Sequence, residues 1–194
     1  MSKFIPLSLS LLFISMVAFS QENPAITKEC SISTGLGFAA APSNAKAMGR
    51  AFWLQMDYRV MEHFSIAFEV ENFAYVQGGY FPDLPKEYPN EINVLNNNFS
   101  LLIKYHVASK GKLKFAFASG WTYSIRNETY YIPSDNSQIW FANVRSSDDY
   151  RIPFLLEVQY PVSKTINVLA RAKYNMNPKE GDNYSAGIGL SLKL

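Results

Sequence analysis

The chain holds a single cysteine in 194 residues, Cys30, so neither an intrachain disulfide nor a cysteine-built metal site can be assembled from it. Charge is scarce as well. Asp, Glu, Lys and Arg make up 18% of the chain, where a soluble domain ordinarily carries about a quarter. The net charge of +2 excludes the strongly basic footprint of a nucleic-acid binder. Histidine occurs twice, at His63 and His106, and no phosphate-loop, nucleotide or metal-ligand spacing is present, so neither a metal nor a cofactor is expected. Beyond residue 20 no apolar run approaches the ~20 residues that a membrane-spanning helix needs. Any crossing of a membrane by the rest of the chain must be made with strands.

The first twenty residues read differently. Lys3 supplies a positive start, Ile5 to Phe19 an apolar stretch, and Ala18-Phe19-Ser20 a small-x-small cleavage signal ahead of Gln21, the layout of a secretory signal peptide. A transmembrane anchor is the competing reading, but Pro6 and three serines interrupt a stretch too short to span.

What the rest of the chain has in abundance is alternation. In RAFWLQMDYRV, Phe52, Leu54, Met56, Tyr58 and Val60 form one apolar set, and Trp53, Gln55, Asp57 and Arg59 form a mostly polar one. The same period of two recurs in CSISTGLGFAA, FSIAFEVENFAYV, NFSLLIKYHV, LKFAFASGWTYSIR, YRIPFLLEVQY, INVLARAKYNM and YSAGIGLSLKL. A period of two belongs to strands with unlike faces, and neither heptads nor a convincing helix interrupt the series. The connections alternate too. Those at Met61-Glu62-His63, Ala108 to Gly111 and Pro161 to Lys164 are tight, while those at Ala41 to Met48, Gln77 to Val94, Asn127 to Asp149 and Asn177 to Asn183 are longer. These features predict an all-β fold, an eight-stranded antiparallel up-and-down transmembrane β-barrel with short turns at the periplasmic rim and long loops outside. A soluble barrel of the lipocalin type is the competitor.

The two faces decide between them. The polar set mixes Gly, Ala and Ser with Asp57, Arg59, Glu69, Glu71, Lys104, Arg126, Arg151, Glu157, Arg171 and Lys173, which suits a narrow lumen that side chains just fill. The apolar set carries one clear cation, Arg50, beside a loop, where the cost of a charge facing lipid falls from about 2–4 kcal/mol toward zero. If odd-numbered strands rise and even-numbered ones descend, Tyr58, Tyr105 and Tyr160 share the lower end, and Trp121, Tyr123, Tyr150, Tyr174 and Tyr184 share the upper end. These are two aromatic girdles. Phe52, Leu54 and Met56 are therefore expected to face lipid, and Asp57 and Arg59 the interior. The first strand must pair with the eighth, because an open edge in hydrocarbon leaves backbone groups unpaired. Pro153 removes a ladder donor and predicts a bulge in the sixth strand.

With its Ser20-Gln21 cleavage region, eight alternating strands and glycine-rich ending NYSAGIGLSLKL, the chain resembles the small outer-membrane β-barrel proteins of Gram-negative bacteria, the OmpA/OmpX-like group. The resemblance covers residues 30–194 and is specific for architecture rather than activity. It implies a place in the cell outer membrane, contact with outer-membrane lipid and lipopolysaccharide, and delivery by the barrel-assembly machinery. The division expected is a signal peptide over 1–20, a short N-terminal periplasmic segment over 21–29 and the barrel over 30–194. Members of the group usually end on an aromatic residue, whereas this chain ends on Leu194.

An eight-stranded barrel with its inward side chains in place leaves no open channel, so the luminal charges are read as an ion-pair network plugging the barrel rather than as a solute path. Enzymes of this size class that modify outer-leaflet lipid need a histidine beside a serine near that leaflet. His63 and His106 both fall at the opposite end, and no catalytic residue is assigned. The remaining chemistry lies in the loops. Tyr80, Phe81 and Tyr88 in loop two, with Tyr130, Tyr131, Trp140 and Phe141 in loop three, are aromatic anchors for an extracellular protein or surface partner. The alternative role for TYYIP and QIWFANV is to extend strands five and six above the membrane and pack against loop two as a lid.

Overall fold

The computed structural model describes residues 29–40, 49–78, 91–107, 111–134, 137–177 and 182–194. Eight strands follow in order: β1 (Cys30–Ala40), β2 (Gly49–Met61), β3 (Phe64–Gly78), β4 (Glu91–Val107), β5 (Lys114–Ser134), β6 (Ser137–Pro161), β7 (Ile166–Met176) and β8 (Asn183–Lys193). Each pairs antiparallel with the next, and β1 closes on β8 from Ser31↔Lys193 to Ala40↔Tyr184. Closure leaves no sheet edge within the barrel wall, as backbone in hydrocarbon demands.

The lower turns are built from local chemistry. At the β2–β3 turn the register shifts between Arg59 and Met61, leaving Val60 unpaired, and Arg59 Nη1 donates to the Glu62 carbonyl at 2.6 Å. At the β6–β7 turn, Ser163 Oγ accepts from the backbone amides of Thr165 at 3.3 Å and Ile166 at 3.0 Å, a hydroxyl replacing a backbone partner in a tight reversal.

Burial along the strands is inverted relative to a soluble protein. Leu36 is 67% exposed, Ile188 70% and Trp121 77%, whereas Glu69 and Glu71 are fully buried. Phe52, Leu54 and Met56 face outward, and Trp53, Gln55 and Asp57 face the lumen. A wall that is apolar outside and charged inside is a transmembrane barrel; the lipocalin-type alternative is excluded by which face is exposed. The tyrosines meet as their spacing predicts. Tyr123 pairs with Tyr150, with ring centroids 5.5 Å apart, Tyr174 pairs with Tyr184, and at the lower end Phe64 lies 5.3 Å from Tyr105.

One expectation needs correction, and one pair of alternatives is decided. Pro153 does not form a bulge: β5 and β6 keep one register on either side of it, with Ser119↔Phe154 below and Thr122↔Arg151 above, and only the intervening pairs are missing. A proline removes one donor without adding a residue, so the ladder opens and closes again in step. Of the two roles open to the span from Asn127 to Asp149, the structure has the extension of strands five and six rather than an irregular loop. β5 runs to Ser134 and β6 starts at Ser137, so TYYIP and QIWFANV are strands, paired from Thr129↔Val144 to Pro133↔Trp140. Packing of this hairpin against loop two falls outside the described residues, as do residues 1–20, where a signal peptide is expected, and all but Glu29 of the segment 21–29.

Candidate functional site

The lumen is crossed by side chains from strands on opposite sides of the barrel. β3 and β7 stand four strands apart in a ring of eight, so they face each other across its full width. β3 contributes Glu69 and Glu71, and β7 contributes Arg171 and Lys173, all four buried. Every acid meets both bases. Arg171 Nη2 lies 2.7 Å from Glu71 Oε1, Lys173 Nζ lies 2.5 Å from Glu69 Oε1 and 2.9 Å from Glu71 Oε2, and Arg171 Nη1 bonds Glu69 Oε2. Neighbouring hydroxyls complete the set: Ser185 Oγ donates to Glu71 at 2.8 Å, and Lys173 Nζ donates to Ser100 at 3.0 Å. Two acids and two bases leave this group neutral, and the added hydrogen bonds are what a buried ion network requires to offset desolvation.

A second group lies nearer the lower rim. Lys104 on β4 bridges Asp57 on β2 at 2.9 Å and Glu157 on β6 at 2.5 Å. Gln55 joins the same two carboxylates, its Nε2 donating to Asp57 Oδ2 at 2.7 Å and to Glu157 Oε1 at 3.3 Å. β2 and β6 are again opposite strands, so the two groups form successive struts across the tube.

Of the ten charged residues expected in the lumen, these two groups bring together seven. Arg59, Arg126 and Arg151 stand apart. Arg59 lies 3.5 Å from Glu29 at the lower rim, Arg126 lies 2.7 Å from Glu128, and Arg151 makes a two-point contact with Asp149 at 2.8 and 2.9 Å on the upper side. At the lower rim Lys193 also bonds Glu29, and this hydrogen bond holds the Glu29 carboxyl below its ordinary range.

Several luminal residues escape a reading based on charge. Trp53 is buried with its indole beneath the Arg171 guanidinium, 4.2 Å from ring centroid to Cζ. Asn98 stands level with the ion groups as the ladder partner of Glu71, and Asn96, Asn175 and Asn183 lie above them, all buried, with Asn175 Nδ2 donating to Asn183 Oδ1 at 2.9 Å. Strand parity alone places each of these inward; their identity as a tier of amides was the available signal.

The histidines sit at the lower rim. His106 Nε2 and Ser65 Oγ are 2.8 Å apart, and His63 Nδ1 is 3.2 Å from the His106 carbonyl. Ser65 is buried and lies at the end away from the outer leaflet, so the pair presents no hydroxyl to lipid there. No group of three or more His, Cys, Asp and Glu suited to a metal occurs among the described residues.

Tyr80, Phe81 and Tyr88 lie outside the described residues. Tyr130 and Tyr131 are in β5, and Trp140 and Phe141 in β6, where Ile132↔Phe141 and Pro133↔Trp140 are ladder pairs. On its other side β6 has no β7 partner above Ile152↔Met176 among the described residues.

No protein-family model matches the chain, and no curated protein matches it in sequence. Solved structures do match it in fold. A major outer membrane protein from Thermus thermophilus superposes with a TM-score of 0.64 at 12% identity, covering 87% of this chain and 100% of that one. Neisserial surface protein A gives 0.58 at 13% identity, covering 86% and 96%. Ail, the attachment invasion locus protein of Yersinia pestis, gives 0.56 at 11% identity, covering 87% and 100%. Closed wall, inverted burial and these likenesses agree: the chain has the fold of the small eight-stranded outer-membrane β-barrels, the OmpA/OmpX-like architecture.

Proposed function

We propose that this protein is an integral outer-membrane barrel with a plugged lumen that binds a partner at the cell surface through its β5–β6 hairpin. The length of that hairpin carries the reading. A strand needs ~9–11 residues to cross a bilayer, whereas β5 has 21 and β6 has 25. The surplus of ten or more residues amounts to about 30 Å of strand at ~3.3 Å per residue. It carries Tyr130, Tyr131, Trp140 and Phe141, and β6 offers an edge without a β7 partner among the described residues to any extended segment that can add to it. Ail is named for attachment and has the same barrel architecture, which is consistent with a surface role.

The plug rests on the struts between opposite strands. They put charged side chains where a solute would have to pass, each already paired with an opposite charge. Replacing Tyr130–Phe141 by a two-residue Asn-Gly turn is expected to abolish attachment to host cells or matrix while leaving a heat-resistant barrel on gels. Unchanged attachment would remove the hairpin from the binding site. Liposomes carrying the intact protein should swell no faster in small sugars than protein-free ones, and rapid swelling would assign the lumen to a solute path instead.

A further inference from the structure

We propose that the upper outer wall of β2–β5 holds a site for the phosphate group of an outer-leaflet lipid, with Arg50 as its cation. This goes beyond the hairpin reading and involves a different part of the wall.

Arg50 is the only cation on the outward face of the described strands. It is exposed and forms no ion pair among the described residues, and its ladder partners are Phe38 on β1 and Ala74 on β3, neither of which can accept a hydrogen bond through its side chain. A guanidinium on a lipid-facing wall without an acid is tolerated only where the wall leaves hydrocarbon. The neighbouring residues mark that boundary. The rung Leu54–Val70–Phe99 is apolar, but the next rung up, beginning at Phe52, carries Asn72 and Asn97, and the rung of Arg50 carries Asn127 and Ser146. Asn72 Nδ2 donates to Asn97 Oδ1 at 2.5 Å, which leaves donors on both amides for a third group.

Beside Arg50 the wall recedes into a cavity of about 400 Å³, with Ala74 on its outward floor, Asn93 and Thr129 as polar walls and Val76 and Leu95 as apolar ones. That volume lies within the ~300–1,000 Å³ of small-ligand sites. A cation, amide and hydroxyl donors and an adjoining apolar surface at the lipid boundary match one chemistry: an anionic phosphate joined to acyl chains. Guanidinium binds phosphate through two parallel donors, which a neutral sugar or a zwitterion with its cation outward does not match as well. A free phosphate ion would use the donors but not Val76 and Leu95.

The test uses the full-length protein in phosphatidylcholine nanodiscs doped with diphosphoryl lipid A or its dephosphorylated form, with bound lipid counted by native mass spectrometry. The intact protein is expected to retain the diphosphoryl form about tenfold more than the dephosphorylated one, the factor of a charge-assisted hydrogen bond. Arg50→Gln should lose that preference and Arg50→Lys should keep part of it. Ala74→Trp, which fills the recess, should lower retention of both lipids. Inorganic phosphate at millimolar concentration should not displace the lipid. Equal retention of the two lipids, an unchanged preference in Arg50→Gln, or full displacement by phosphate alone would each overturn the assignment. Heat-modifiable migration on gels verifies that every variant is folded.

Discussion

Trp53 shows how one side chain sets the composition of its surroundings. The indole is buried inside the barrel, and a Cβ added at Gly35 would stand 2.2 Å from its Cζ2, one added at Gly187 2.8 Å from its Cζ3. Gly35 on β1 and Gly187 on β8 are thus the space that Trp53 fills, under the guanidinium of Arg171. Gly35→Leu is expected to cost roughly 1–3 kcal/mol by overpacking, and Trp53→Ala roughly 3–5 kcal/mol by leaving a cavity. Combining them should cost less than the sum, because the leucine enters the space the indole vacates. Recovery will be partial, since the added group at Gly35 also meets the Ile188 carbonyl at 2.4 Å. Urea titrations in phospholipid vesicles, followed by gel mobility, measure all three. Strict additivity would show that the glycines serve some purpose other than housing the ring.

At the scale of elements, the four-residue group of Glu69, Glu71, Arg171 and Lys173 fastens β3 to β7, strands that share no backbone hydrogen bond. Glu69→Gln strands two buried cations on one remaining acid, a loss on the order of 3–5 kcal/mol. Glu69→Gln with Lys173→Met removes one charge of each sign and should be milder than either change alone, a sign reversal of coupling that the same unfolding assay detects. If the double variant is the worst of the three, the network holds by packing rather than charge. The partners could not have been chosen from the sequence. Alternation placed all four side chains inward, but which inward charges share a level depends on the stagger of strands one hundred residues apart, and stagger leaves no mark on local pattern. For similar reasons the strands themselves were legible and their upper ends were not. Within the bilayer, lipid on one side and a crowded tube on the other impose a strict period of two, as in β7 and β8. Above it neither face is dictated, so TYYIP and QIWFANV stay open between loop and extended strand in the sequence, and only their pairing decides. Pro153 misled in the opposite direction, because a missing donor is visible in sequence and an unshifted register is not.

For the molecule as a whole, the governing fact is that its stability depends on which solvent touches which face. The outward belt, including Leu54, Phe68, Phe117, Leu190 and Ile188, is exposed, while the charges lie within. In water this arrangement would leave a large apolar surface uncovered; in a bilayer the same surface needs no protein partner. Leu54→Arg tests this inversion directly. Leu54 stands outward near the middle of β2, between Thr34 and Val70 on the neighbouring strands. An arginine there must extend into acyl chains, at a cost of about 2–4 kcal/mol for a site near the midplane. An arginine at the rim should cost little, as Arg50 already stands near that boundary with no acid as its ladder partner. Reversible unfolding in vesicles of Leu54→Arg and of Phe38→Arg, the outward neighbour of Arg50, should therefore separate by depth: a large loss for the first and under about 1 kcal/mol for the second. A soluble barrel would give the opposite result, with both arginines neutral or favourable on a wetted surface. Equal effects at the two depths would mean that the hydrocarbon boundary does not lie between the rungs of Leu54 and Arg50, and the polar band of Asn72 and Asn97 would then need another cause.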